Sequence, residues 1–234
     1  PAEMGWRAGV GALTGVDPRE MAEADLIVMW GGHPVSTQVN VMHHVARARK
    51  MRGAKFAVVD CYRTPTVAQA DMALILRPGT DGALAAAMIH VLLREGLADR
   101  DYLTRLTDFD PAIEAHFAAK TPAWAAHITG LGEQEIVEFA RLYGRTARSF
   151  LRLGFGFTRG RTGAANMHAV SCLPAVTGAW QRRGGGAFFM RWTNWGLDLT
   201  LAHGRDRARA RSAPRAGGGA GDHHSGLAGE EWGP

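Results

Sequence analysis

The sequence predicts an α/β fold: three layers built on a mostly parallel sheet with Rossmann-like βαβ units, followed by a disordered C-terminal tail. Three observations predict it. Leu26-Ile27-Val28-Met29-Trp30 and Phe56-Ala57-Val58-Val59 are short continuous apolar runs, the pattern of strands buried on both faces. A polar, partly amphipathic stretch from Gln38 to Arg52 separates them, giving the order strand, crossover helix, strand. A third run, Met72 to Leu76, leads through Pro78-Gly79-Thr80-Asp81 into another strong helical pattern.

The elements follow in chain order. Residues 1–24 read as a Gly-rich lead-in ending in a short capped helix, with Asp17 as cap and Pro18 in its first turn. The region 25–189 reads as the nucleotide-binding α/β body. Within it, Leu84, Met88, Val91 and Leu92 share one face of the helix that starts at Thr80-Asp81, and Gly96 follows its end. Asp99 to Gly132 has the look of short helices and turns, with Phe117 and Trp124 as packing anchors. Glu133 to Gly144 is a clear helix: acids open it, arginines close it, and Ile136, Phe139, Ala140 and Tyr143 line one face. Ser149 to Leu153 is a further strand, which exits through Gly154-Phe155-Gly156-Phe157 into a small-residue helix from Gly163 to Thr177. From 190 to 234 the chain is rich in Gly, Arg and Ala and has almost no apolar periodicity, which predicts disorder. Text of this kind also arises from a shifted reading frame in GC-rich DNA, the reading favoured here.

Composition sets looser bounds. The 234 residues are 46% hydrophobic, enough for one good core or two modest ones. No stretch approaches the ~20 apolar residues that cross a bilayer, so we expect no membrane segment. Neither a signal-peptide pattern nor an initiating Met is present, and the expectation is a cytoplasmic chain that lacks its true N-terminus. Cys61 and Cys172 belong to no metal-ligating cluster, and Cys172 fits a core position in its helix. The adjacent pairs His43-His44 and His223-His224 cannot converge on one ion as i, i+4 pairs do. No residue is therefore assigned a metal-ligating or catalytic role. The net charge of +5 comes from arginines spread along the chain and mixed with acids, which argues against nucleic acid as a partner.

Chemistry gathers after the strands. Gly31-Gly32-His33-Pro34 follows the first strand, and its two glycines let a ligand approach the backbone; with Ser36 and Thr37 it forms a candidate phosphate cradle. Asp60 ends the second strand, where a carboxylate can accept hydrogen bonds from ribose hydroxyls, and Arg63 and Thr64 follow as phosphate or sugar donors. Thr80 stands at a helix N-cap, and Asp81 in its first turn either caps the helix or accepts two N–H bonds from a guanine edge. A nicotinamide-dependent dehydrogenase domain also fits strand, Gly-Gly, helix and Asp60, but GxGxxG is absent; a noncatalytic nucleotide-binding module is the other alternative.

The runs WGGHPVST, VVDCYRTPTVAQAD, LRPGTDGALAAAMIHVLLREGLADRDYL and LGFGFTRGRTGAANMHAVSCLPAVTGAWQRRGGGAF resemble the molybdopterin oxidoreductases of the dimethyl sulfoxide reductase and formate dehydrogenase superfamily. The resemblance spans roughly Gly5 to Phe189. It implies an enzyme holding molybdenum between two molybdopterin guanine dinucleotides and performing oxygen-atom transfer or proton-coupled electron transfer on a small-molecule substrate, with an electron-transfer subunit as partner. Carried over, Gly31, Gly32, His33 and Pro34 would contact one dinucleotide, the family more often having Asn at the His33 position. Asp60 and Arg63 would hold its ribose and phosphates, Thr80 and Asp81 its guanine end, and Gly154, Gly156 and Arg159 would lie toward the pterin. Thr162 stands where Asn is frequent, and Gly184-Gly185-Gly186 would be a close-approach loop. The iron–sulfur cysteines and the molybdenum ligand of such enzymes have no counterpart here. The chain reads as an internal fragment, without turnover on its own.

Overall fold

The computed structural model describes residues 1–189, so the expectations for the tail lie outside the described residues. Five strands form one sheet: β1 (Leu26–Trp30), β2 (Lys55–Asp60), β3 (Met72–Ile75), β4 (Ser149–Leu153) and β5 (Gly186–Phe188), in the order β3-β2-β1-β4-β5. Every pairing is parallel, and β1 aligns Trp30 with Val59 on one side and Leu153 on the other. The interior strand β1 is buried along its whole length, which is why it reads as an unbroken apolar run.

Side-chain alternation divides the core into two layers. Leu26, Val28 and Trp30 face the larger one, while Ile27 and Met29 face the smaller. The smaller layer is closed by helix α3 (Val39–Arg52), through Val41, Val45 and Ala48, and by a 3-10 turn over Pro18–Glu23 capped by the Asp17 carboxylate. Between β1 and α3 lies a single helical turn, α2 (Pro34–Thr37).

The larger layer is built on helix α4 (Asp81–Arg94). A single apolar face was the expectation for it, yet eleven of its fourteen residues are buried. Around it pack α7 (Pro122–Thr129), α8 (Glu133–Arg145) and α9 (Gly163–Val176), so alanines and even His90 are enclosed beyond that face. His90 meets the Phe117 carbonyl through Nδ1 at 3.0 Å, which ties α4 to the short helix α6 (Pro111–Ala118) that follows α5 (Arg100–Leu106).

Two elements exceed the expectations. The lead-in contains a helix, α1 (Ala2–Val10), laid against α9. Its glycines are what permit the contact: a Cβ on Gly5 would lie 2.2 Å from the backbone oxygen of Ala164. Trp6 is buried, with its ring 6.3 Å from that of Trp180 and 6.1 Å from that of Phe189. The Gly184–Gly186 turn, for its part, leads directly into β5. It packs against the chain's own backbone, since a Cβ on Gly184 would be 2.5 Å from the carbonyl oxygen of Glu23. The end of β5 is held by Arg152, a buried residue of β4 whose guanidinium donates to the carbonyls of Leu153 and Phe189 and to Gln38 Oε1. Burial pushes the Arg152 pKa down to about 10.

Gly5→Ala should test the α1–α9 contact. Alanine favours a helix by about 1 kcal/mol over glycine, but here α1 must move away from a backbone atom, and a net loss of about 1–3 kcal/mol is expected in urea unfolding.

Candidate functional site

Strand order reverses direction between β1 and β4, and this is where open parallel sheets bind ligands, outside the carboxyl ends of their strands. The loops leaving these two strands interlock through glycine. Gly154 donates its N–H to the Trp30 carbonyl at 2.8 Å, and Gly156 donates to the Gly31 carbonyl at 3.0 Å. Gly31 has φ +61°, and a Cβ on Gly154 would lie 2.2 Å from the Gly31 oxygen. Side chains at these points would force the loops apart and fill the space above the sheet.

Beside this crossing is a cavity of about 360 Å³. One wall comes from the ends of β2 and β3: Asp60, Cys61, Pro78, Gly79 and Asp81. Gly31 and the segment Gly156–Thr162 complete it. Asn166 on α9 fastens the two sides together. Its amide donates to the Gly79 carbonyl at 3.2 Å, and its oxygen accepts the Gly82 N–H at 3.1 Å. The Thr162 hydroxyl also donates to Gly79, at 3.1 Å.

The cavity is polarised. Asp60 and Asp81 are both buried, and burial pushes both carboxyls above the usual range. Asp60 is partly relieved by the Cys61 N–H, which it accepts at 2.7 Å. Asp81 is pushed up to about 6, with the charge of Asp60 adding in the same direction; the Trp30 indole N–H donates to its Oδ1 at 2.8 Å and works against the shift. On the segment after β4 are the exposed Arg159 and Arg161. Neither makes a salt bridge among the described residues, and Arg159 lies 5.5 Å over the Phe155 ring.

Of the residues singled out in the sequence, Gly31, Asp60, Asp81, Gly156, Arg159 and Thr162 come together in this lining, and Gly154 supports it from below. The others do not line it. His33 is turned into its own loop, Nδ1 against Thr66 Oγ1 at 2.7 Å and Nε2 against Ser36 Oγ at 2.8 Å. Pro34 is buried as the first residue of α2, and Gly32 packs where a Cβ would meet the Met29 methyl. Arg63 is exposed and away from the lining. Thr80 does precede α4, but its hydroxyl donates backward to the Arg77 carbonyl at 2.7 Å, and it borders a separate apolar groove between α4 and α9. Sequence reasoning overlooked Arg161, Phe157, Cys61 and Trp30. Arg161 had a signal, the repeat Arg159-Gly160-Arg161 in a glycine-rich exit loop; Trp30 had none, because its partner lies fifty-one residues away.

Similarity to known proteins now bears on this site. The family model described as molybdopterin oxidoreductase matches residues 6–226. The chain belongs to the molybdopterin oxidoreductase family. It is 35% identical to the "Probable oxidoreductase YoaE" of Bacillus subtilis over 183 residues, 78% of this chain and 27% of that protein. It is 32% identical to the "Probable dimethyl sulfoxide reductase chain YnfF" of Escherichia coli, over 81% of this chain and 26% of the relative. Against formate dehydrogenase H of Escherichia coli the identity is 30%, over 68% and 22% respectively. The chain thus spans about a quarter of the length of the curated relatives it matches. Acetylene hydratase from Pelobacter acetylenicus shares the fold, with a TM-score of 0.67 at 22% identity, over 79% of this chain and 25% of that one. Membership implies a molybdenum–pterin cofactor. Among the described residues, no helix is long and apolar enough to cross a membrane.

The buried carboxyl gives a stability test. Folded Asp81 keeps its proton up to about pH 6, whereas the unfolded chain releases it near the ordinary 3.8. Its contribution to stability is therefore greatest below about pH 4, declines between 4 and 6, and is level above. Relative to the parent chain, Asp81→Asn should gain stability across that interval, by at most about 3 kcal/mol at pH 7, read from urea unfolding at pH 4 and pH 7.

Proposed function

We propose that this chain supplies the part of a molybdopterin oxidoreductase that binds one guanine dinucleotide of the molybdenum cofactor. The observation that carries the reading is the pairing, in one cavity at the sheet's crossover point, of two buried carboxylates with two arginines that make no salt bridge among the described residues. The residues suit such a group. An ionised carboxylate can accept the two N–H donors of a guanine edge, a second can accept ribose hydroxyls, and guanidinium groups match phosphate oxygens.

In this reading Asp81 takes the guanine, Asp60 the ribose, and Arg159 and Arg161 the phosphates, while Gly31, Gly154 and Gly156 leave room for close backbone approach. The lone Phe157 ring lends an apolar surface to the same lining. When bound, the cofactor supplies the redox chemistry of oxygen-atom transfer or proton-coupled electron transfer at molybdenum. This chain's residues bind and orient it, and exclude water from the carboxylate wall. The second dinucleotide, the small-molecule substrate, the electron-transfer subunit and any iron–sulfur cluster would belong to other parts of the full-length enzyme.

Isothermal calorimetry with GDP and with NAD tests the proposal. The expected result is measurable GDP binding that exceeds NAD binding, and a loss of about tenfold on Arg159→Ala and again on Arg161→Ala, as removal of a charge-assisted hydrogen bond implies. Preference for NAD would make this a nicotinamide site and overturn the reading.

A further inference from the structure

Trp30 is the last residue of β1 and is fully buried, yet its indole reaches the wall of the cavity. Its ring centroid is 6.4 Å from those of Phe139, in the core, and Phe157, in the cavity lining. An indole N–H in such surroundings needs an acceptor. A backbone carbonyl or an amide side chain would serve without placing an ionisable group in the core. Instead the acceptor is the carboxylate of Asp81, itself only 3% exposed, which lines the cavity while its Oδ1 is engaged by the indole at 2.8 Å. A carboxylate facing a ligand is thereby fixed by a donor that cannot rotate away, since the indole is wedged between two aromatic rings.

We infer that Trp30 is a positioning residue for the nucleobase subsite: its indole N–H orients the Asp81 carboxylate so that it can accept the N–H donors of a guanine. The inference rests on the guanine reading above. The other groups facing Asp81 make the role specific. Asp60 disfavours its charge, and the Cys61 thiol beside it is itself pushed up by burial and by Asp60. Arg159 and Arg161 belong to the same lining but form no salt bridge with it among the described residues. The indole is the one side-chain donor to Asp81 among the described residues. Without it, the acceptor would lose its fixed orientation and be ionised in a smaller share of molecules near pH 6.

Two measurements test this. In the isotopically labelled chain, the indole N–H resonance that disappears in Trp30→Phe is followed against pH by NMR. It is expected to titrate with a midpoint near 6 and to become flat in Asp81→Asn; a flat profile in the parent chain overturns the inference. GDP affinity is then measured by calorimetry between pH 5 and 8. In the parent chain it should weaken as pH falls through about 6. In Trp30→Phe, which keeps an aromatic ring but loses the N–H, the midpoint should move up by about one pH unit, leaving binding about twofold weaker at pH 7 and about fivefold weaker at pH 6. An unchanged pH profile in a Trp30→Phe chain with parental circular dichroism would overturn the inference while leaving the guanine reading intact. Absence of GDP binding in the parent chain would defeat the guanine reading and this inference toward it, while the indole titration reports separately whether the Trp30–Asp81 coupling exists. Should Trp30→Phe fail to fold, Asp81→Asn decides through the NMR titration.

Discussion

The contact on which this structure turns is backbone against backbone: the loop leaving β1 lies directly on the loop leaving β4. Gly156 donates to the Gly31 carbonyl, and Gly154 has no room for a Cβ. A parallel sheet whose strand order reverses must part its connecting segments at one place, and helices on both faces keep that place open. Here the two loops that part at the opening meet through glycine. The carboxylates at the ends of β2 and β3 and the arginines after β4 then face a shared space because the sheet register allows nothing else. Asn166, hydrogen-bonded both to Gly79 and to Gly82, holds the α4 entrance against α9 so that this space persists.

Much of the fold was legible because its strands are interior. Five buried residues in a row at Leu26–Trp30 cannot be an amphipathic helix, and Gly96, read as the close of the helix that starts at Asp81, follows its end with positive φ. What escaped depended on distant partners. The full enclosure of α4 comes in part from helices that carry little periodicity of their own, and α1 lay in a segment read as a Gly-rich lead-in because its glycines, which weaken a lone helix, serve a close helix contact. Likewise β5 has three residues and owes its place to a pairing with β4 and to Arg152. In the site, Asp60 and Asp81 were visible from their positions after strands, whereas the inward turn of His33 is decided by Thr66 and Ser36, whose geometry no linear spacing encodes.

The cavity also illustrates how function and stability oppose each other. Burial raises the proton affinity of both acids, the charge of Asp60 raises that of Asp81 further, and a fold selected for stability alone would replace them. Two arginines on the opposite segment, with no salt bridge among the described residues, complete a charge pattern that is unbalanced locally on both sides. Such patterns are resolved by a ligand that carries donors at one end and negative charge at the other, which is the polarity of a nucleotide.

The enclosure of α4 extends the reach of that cavity. Asp81 is its first residue, and the helix runs about 21 Å from there into the interior, buried on nearly every side. A helix so enclosed has no route for local fraying except at its ends, so its amide hydrogens exchange with solvent only when the surrounding layer opens. A ligand held at Asp81 would therefore protect amides far beyond its own contacts, and occupancy of one edge of the sheet would register as slowed deuterium uptake across the whole of the larger layer.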